Sequence, residues 1–286
     1  MTTQGLDTRC AFVMGSLLLG ALSACGGDDA PPVPAEQAVE EPAAPTPPPS
    51  LSAQLQEMAI QDHLVPSPGE MQRALSKAGI QSSLAVLVPV RDLDMTVSNK
   101  DQVAIRTGVI LADMLLTVNA VEAEVTAARL TKIRDGLAEL KAGSDLPAEI
   151  DSLIDRIRNG AISGDRLLFE LDELAAAVIP EIKYEADWVL PLVQAGAWLE
   201  GANLVSKAVQ TEDKADTAGS LLVQPQVVDY FIRYVDAEAK NKVDSVVLGQ
   251  LKSTLSSLKA ICDTGTVTNS DLATIESATD SVLKLL

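Results

Sequence analysis

Beyond residue 50, apolar positions recur at helical spacing along nearly the whole chain. Ser67-Pro68-Gly69-Glu70 reads as a helix start: Ser at the N-cap, Pro at the first helical position, Glu at the third. It predicts a short helix to about Ala78. Asn99 with Gln102 caps another, whose sequence VAIRTGVILADMLLTV is apolar on nearly every face. Such a helix belongs in the middle of a bundle. Val121, Val125, Ile133, Leu137 and Leu140 form the next stripe, punctuated by Gly143 and Pro147. Leu146, Ile150, Leu153, Ile154 and Ile157 form another, ended by Asn159-Gly160. Leu167, Leu168, Leu171, Leu174 and Val178 follow and are expected to stop near Pro180. A stretch from Glu181 to about Val209 should kink or split at Pro191, and Asp216 to Asp236 reads helical around Pro225. Val243, Val246, Val247, Leu251, Leu255, Leu258 and Ile261 make the clearest amphipathic helix, and Asp271 to Leu285 closes the chain.

The run Leu84 to Val90 (LAVLVPV) is the exception and could be extended. The prediction is an all-α fold, an irregular multi-helix bundle of about eight to ten helices over residues 51–286. Aromatics are only 3% of the chain, so Ala, Leu, Val and Ile must fill its core. TGVILADMLLT and AGAWLEGANLV share a Gly followed by apolar residues and an acid, an echo compatible with two related halves or with chance.

The first 50 residues follow different rules. Met1 to Arg9 is polar, and Asp7 offsets Arg9. The apolar run from Ala11 to Ala21 is too short to span a bilayer, which takes about 20 apolar residues, but suits the core of an export signal. It ends in Leu22-Ser23-Ala24-Cys25, which resembles the bacterial lipobox, where Leu and two small residues precede a Cys that becomes lipidated. The resemblance implies that residues 1–24 are a cleaved lipoprotein signal peptide and that Cys25 carries a diacylglycerol and acyl chains. At roughly 0.8 kcal/mol per buried methylene, two or three chains anchor a protein durably. Gly26 follows in place of the Asp of the familiar inner-membrane sorting rule. The resemblance therefore implies a cell-envelope location, lipid-anchored at the outer membrane and facing the periplasm. Residues 25–50 hold eight of the fifteen prolines and five acids, with no Lys or Arg. They read as a disordered, extended tether.

A net charge of −18 repels phosphate backbones, so a nucleic-acid partner is not expected. With one histidine (His63) and with Cys10, Cys25 and Cys262 as the cysteines, neither a disulfide framework nor a multi-His metal site is indicated, and no cofactor is expected. The chain has no GxGxxG, P-loop, HExxH or nucleophile elbow.

Three features remain as candidates for chemistry. Asp113 and Glu200 lie inside apolar helices, where an ionised carboxylate needs a partner. Arg106, two turns before Asp113, could supply it, and Trp198 lies two residues before Glu200. Arg106, Asp113, Trp198 and Glu200 are thus either a polar ligand or cation site, or a structural ion pair. Tyr184, Trp188, Trp198, Tyr230, Phe231 and Tyr234 could line a pocket or form a core layer. The loop Asp263 to Leu272 resembles the second half of an EF-hand, but Ala260 and Cys262 fall where its first oxygen ligands should be, which favours a plain interhelical loop. The expected function is a membrane-anchored helical domain, non-catalytic, in contact with an envelope protein partner. The alternative is a small-ligand or cation-binding lipoprotein using Asp113 and Glu200.

Overall fold

Pro68 has no N–H to lose at a helix start, and Ser67 and Glu70 satisfy each other's backbone there. Ser67 Oγ accepts from Glu70 N–H at 3.1 Å, and Glu70 accepts from Ser67 N–H at 2.8 Å. The computed structural model in which this cap is seen describes residues 65–80, 84–89, 91–142, 146–215, 221–237 and 245–286. The leader, Cys25, the proline-rich stretch and His63 lie outside the described residues, as does the Tyr184 side chain.

Nine helices of ten residues or more, and no strand, occur among the described residues. They are α1 (Pro68–Lys77), α2 (Lys100–Thr117), α3 (Ala123–Leu140), α4 (Leu146–Arg158), α5 (Gly164–Ala186), α6 (Leu190–Thr211), α7 (Pro225–Ala237), α8 (Ser245–Thr264) and α9 (Asn269–Leu283). The fold is all-α, as the apolar spacing predicts. No helix among the described residues is long and apolar enough to cross a membrane.

The two helices without a polar face lie at the centre. All of α2 except Lys100 and Gln102 is buried, as is all of α6 except Pro191, Lys207, Gln210 and Thr211. They meet at two glycines. A Cβ on Gly108 would stand 2.0 Å from the Val193 carbonyl oxygen, and one on Gly196 would stand 2.1 Å from that of Ile105. Only hydrogen at these positions lets the backbones approach so closely. Gly108 packs on Val193 and Ala197, and further along both helices Asp113 meets Glu200, so α2 and α6 run parallel. The Gly-then-acid echo in the sequence is this crossing seen from both sides.

The amphipathic helices cover the pair. α1 and α3 pack on α2, and α4 packs on α3. α9 packs on α6, α8 on α9, and α7 on α8. Asn203 of α6 donates to Thr279 Oγ1 of α9 at 3.0 Å, and Thr254 of α8 donates to the Ala278 carbonyl at 2.9 Å.

Four local expectations need correction. Leu84–Leu87 is a single helical turn and not an extended run. α5 continues through Pro180 to Ala186. Pro180 removes one backbone hydrogen bond, but Val178 and Ile182 on either side of it are fully buried, and their packing carries the helix past the break. Val125 and Val246, assigned to core stripes, are exposed near the starts of α3 and α8. By contrast, the chain does break before Pro191, where a 3-10 turn (Asp187–Val189) separates α5 from α6.

α9 begins with a second reciprocal cap. Thr268 Oγ1 accepts from Asp271 N–H at 3.3 Å, and Asp271 accepts from Thr268 N–H at 2.8 Å. Thr268→Ala is expected to lower stability by about 1 kcal/mol, read as a shift in urea midpoint at unchanged m-value.

Candidate functional site

Asp113 projects from α2 and Glu200 from α6, one to two turns beyond the glycine crossing. Glu200 is wholly buried and the Asp113 side chain is 8% exposed. Burial and the adjacent Glu200 charge raise the Asp113 pKa well above the usual aspartate value.

The charge facing them comes from Arg91, which precedes α2 in the non-helical segment 91–99. Its Nη1 stands 2.8 Å from Glu200 Oε2 and 3.8 Å from Asp113 Oδ2. The contact with Glu200 is an ion pair without the alignment of a hydrogen bond; Asp113 Oδ1 and Glu200 Oε1 are also buried without a hydrogen-bond donor. Arg129 of α3 approaches from another side. Its Nη1 donates to the Asp113 carbonyl at 2.9 Å and to Thr117 Oγ1 at 2.5 Å. Burial lowers the Arg129 pKa, and Asp113 and Glu200 oppose that shift. The cluster sets the Arg91 guanidinium against both buried acids and ties Arg129 to the main chain beside them.

Asp113 and Glu200, singled out in the sequence, are thus brought together. Arg106 and Trp198 are not part of this site. Arg106 donates through Nε to the Leu286 carbonyl oxygen at 2.7 Å, and through its Nη atoms to the carbonyls of Leu286 and Asp94. Seven residues put it on the Asp113 face but about 10 Å away along the axis, too far for direct pairing. Trp198 is two residues from Glu200, about 200° around the helix, and so faces the opposite way. Its Nε1–H donates to Gln224 Oε1 at 2.8 Å, and its ring packs on Phe231 with centroids 5.5 Å apart.

Trp198 and Phe231, both buried, and the partly buried Tyr230 and Tyr234 form a core layer. The cavity lined by Trp198, Phe231 and Tyr234 measures about 10 Å³, room for one water at most. Trp188 is exposed on the 3-10 turn. The Asp263–Leu272 loop ends in the Thr268–Asp271 cap, which occupies the acid that a calcium loop would need. Among the described residues no three His, Cys, Asp or Glu side chains come together as a metal site. Cys262 is buried, and burial pushes its thiol pKa up, away from a reactive thiolate.

Arg91 and Arg129 are the residues that sequence reasoning missed. Two buried acids demanded cations, and that demand was the available signal. Nothing in the spacing says which of the arginines answers it.

The structure so described is an all-α bundle built on a parallel, glycine-crossed helix pair with a buried ion cluster. No protein-family model matches the chain, and no curated protein or solved structure does either.

Proposed function

We propose that this is a lipid-anchored protein of the cell envelope, whose helical domain works through protein contacts and not as an enzyme. The sequence Leu22-Ser23-Ala24-Cys25, placed directly after an apolar run of signal-peptide length, carries this reading. Acyl chains on Cys25 hold the chain at the bilayer, and the acidic, proline-rich residues 26–50 set the helical domain away from the lipid surface. The state of the buried acids supports a structural role for them. Asp113 and Glu200 have Arg91 and Arg129 as internal counterions, so neutralising them requires no external cation.

The test is fractionation of cells expressing the wild type and Cys25→Ser. The wild type is expected in the membrane fraction, taking up radiolabelled palmitate. Cys25→Ser is expected to lose the label and to migrate as the unprocessed, longer chain. Equal labelling and equal mobility of the two would overturn the proposal.

A further inference from the structure

α4 and α5 follow one another in the chain but pack on different neighbours. α4 lies on α3, and the main partners of α5 are α2, α6 and the 3-10 turn. An open groove of about 630 Å³ is left between them. Leu153 of α4 and Leu174 of α5 form its floor, and the small side chains of Ala148 and Ala177 leave the space above it open. Near the turn at 159–163 the groove ends at Arg156, which donates to both carboxylate oxygens of Glu170 at 2.5 and 2.9 Å. The eight helical residues from Ala148 to Arg156 span about 12 Å, room for about two turns of a helix laid along the groove.

The rims are acidic. Glu149 of α4 and Glu173 of α5 are exposed and make no ion pair among the described residues. Glu181, also exposed, follows one turn beyond Ala177. Arg156 is the only basic residue lining the groove, and it is spent on Glu170, which also accepts from Arg166 at 2.8 Å. One turn before Glu173 stands Phe169, 56% exposed and the most exposed aromatic among the described residues. Large aromatics at the edge of an apolar groove are the side chains that most often anchor a protein contact.

We propose that the α4–α5 groove docks a cationic amphipathic helix of another protein, with its apolar stripe on Leu153 and Leu174 and its Lys or Arg side chains on Glu149 and Glu173. Charge selects this occupant over the two that the chain itself could supply. Residues 26–64 hold seven acids (Asp28, Asp29, Glu36, Glu40, Glu41, Glu57 and Asp62) and no Lys or Arg, so the rims repel that stretch. A second copy brings the same net charge of −18 and is repelled too. The same charge draws in a basic partner and speeds its approach. The proposal rests on the reading that the helical domain works through protein contacts, and not on the lipid at Cys25.

The probe is a fluorescently labelled synthetic peptide of about four helical turns, with Leu on one face and Lys on the other. Its binding is followed by anisotropy at physiological salt. The full chain carrying Cys25→Ser is used, so that no acyl chain or detergent micelle competes for the peptide. Glu149→Lys/Glu173→Lys is expected to weaken binding by about tenfold or more. Asp236→Lys/Asp263→Lys makes the same change in net charge on α7 and α8, and should weaken it by less than about threefold. A rim loss no greater than this control's overturns the proposal. So does a peptide that binds no tighter than its counterpart with Glu in place of Lys. Should the rim variant fail to fold, carbodiimide coupling of the peptide to the unaltered rims decides. Amide bonds concentrated on Glu149 and Glu173 support the groove, and bonds spread over the exposed acids refute it. A dimer in sedimentation that only the rim variant breaks up puts a second copy in the groove and also overturns the proposal. None of these outcomes bears on the Cys25 fractionation test.

Discussion

Adding a single methyl group at Gly108 is expected to cost about 3 kcal/mol or more. The new carbon would stand 2.0 Å from the Val193 carbonyl oxygen and 2.8 Å from the Ala197 nitrogen, both main-chain atoms of α6. No rotamer change relieves a backbone clash, so α2 and α6 must separate. Separation opens the centre of the core, where Val109, Leu115, Leu204 and Val205 are almost wholly buried. Gly196→Ala meets the Ile105 carbonyl at 2.1 Å and should behave alike. Gly249→Ala is the control. It is an exposed position of α8 with nothing within 4 Å of the added carbon, and helix propensity alone should stabilise it by up to about 1 kcal/mol. Urea unfolding of the three variants separates the two effects by sign.

Glu200→Ala is the second large loss, about 3 kcal/mol. The residue is fully buried, and its removal leaves Arg91, a side chain only 14% exposed, without its closest counter-charge. Replacing both Glu200 and Arg91 with Met should recover most of that loss, because neither member of the pair is then left buried without the other. A double-mutant cycle by urea unfolding reads the coupling, and additive losses would show that the pair does not interact. Asp113 responds in the opposite sense. Its native pKa lies above the unfolded value of 3.8. Its contribution is therefore fully present below that value and is lost as pH rises through the native one.

The parts of this fold legible in the sequence are those set by neighbours in the chain. Ser67 with Glu70 and Asn99 with the amide of Gln102 make caps within one turn, and the structure forms both. The all-round apolar character of α2 placed it at the centre. Asp113 and Glu200 stood out because apolar helices surround each of them. What failed depended on distance or direction. Arg106 shares a face with Asp113 but lies two turns away, and its guanidinium goes to Leu286 instead. Trp198 is two residues from Glu200 in the chain but opposite to it around the helix, which the helical period could have shown. Arg91 could not be found this way. It lies in a segment with no periodicity and meets Glu200 only after the intervening helices have packed. Pro180 misled because burial on both sides of it outweighs one missing hydrogen bond.

Intact mass spectrometry of the protein extracted from membranes is the most direct test of the anchored-domain account. The predicted species begins at Cys25 and exceeds the mass of residues 25–286 by a diacylglycerol group, with or without an amide-linked acyl chain. A chain that keeps residues 1–24, or that starts at an unmodified residue, would contradict it.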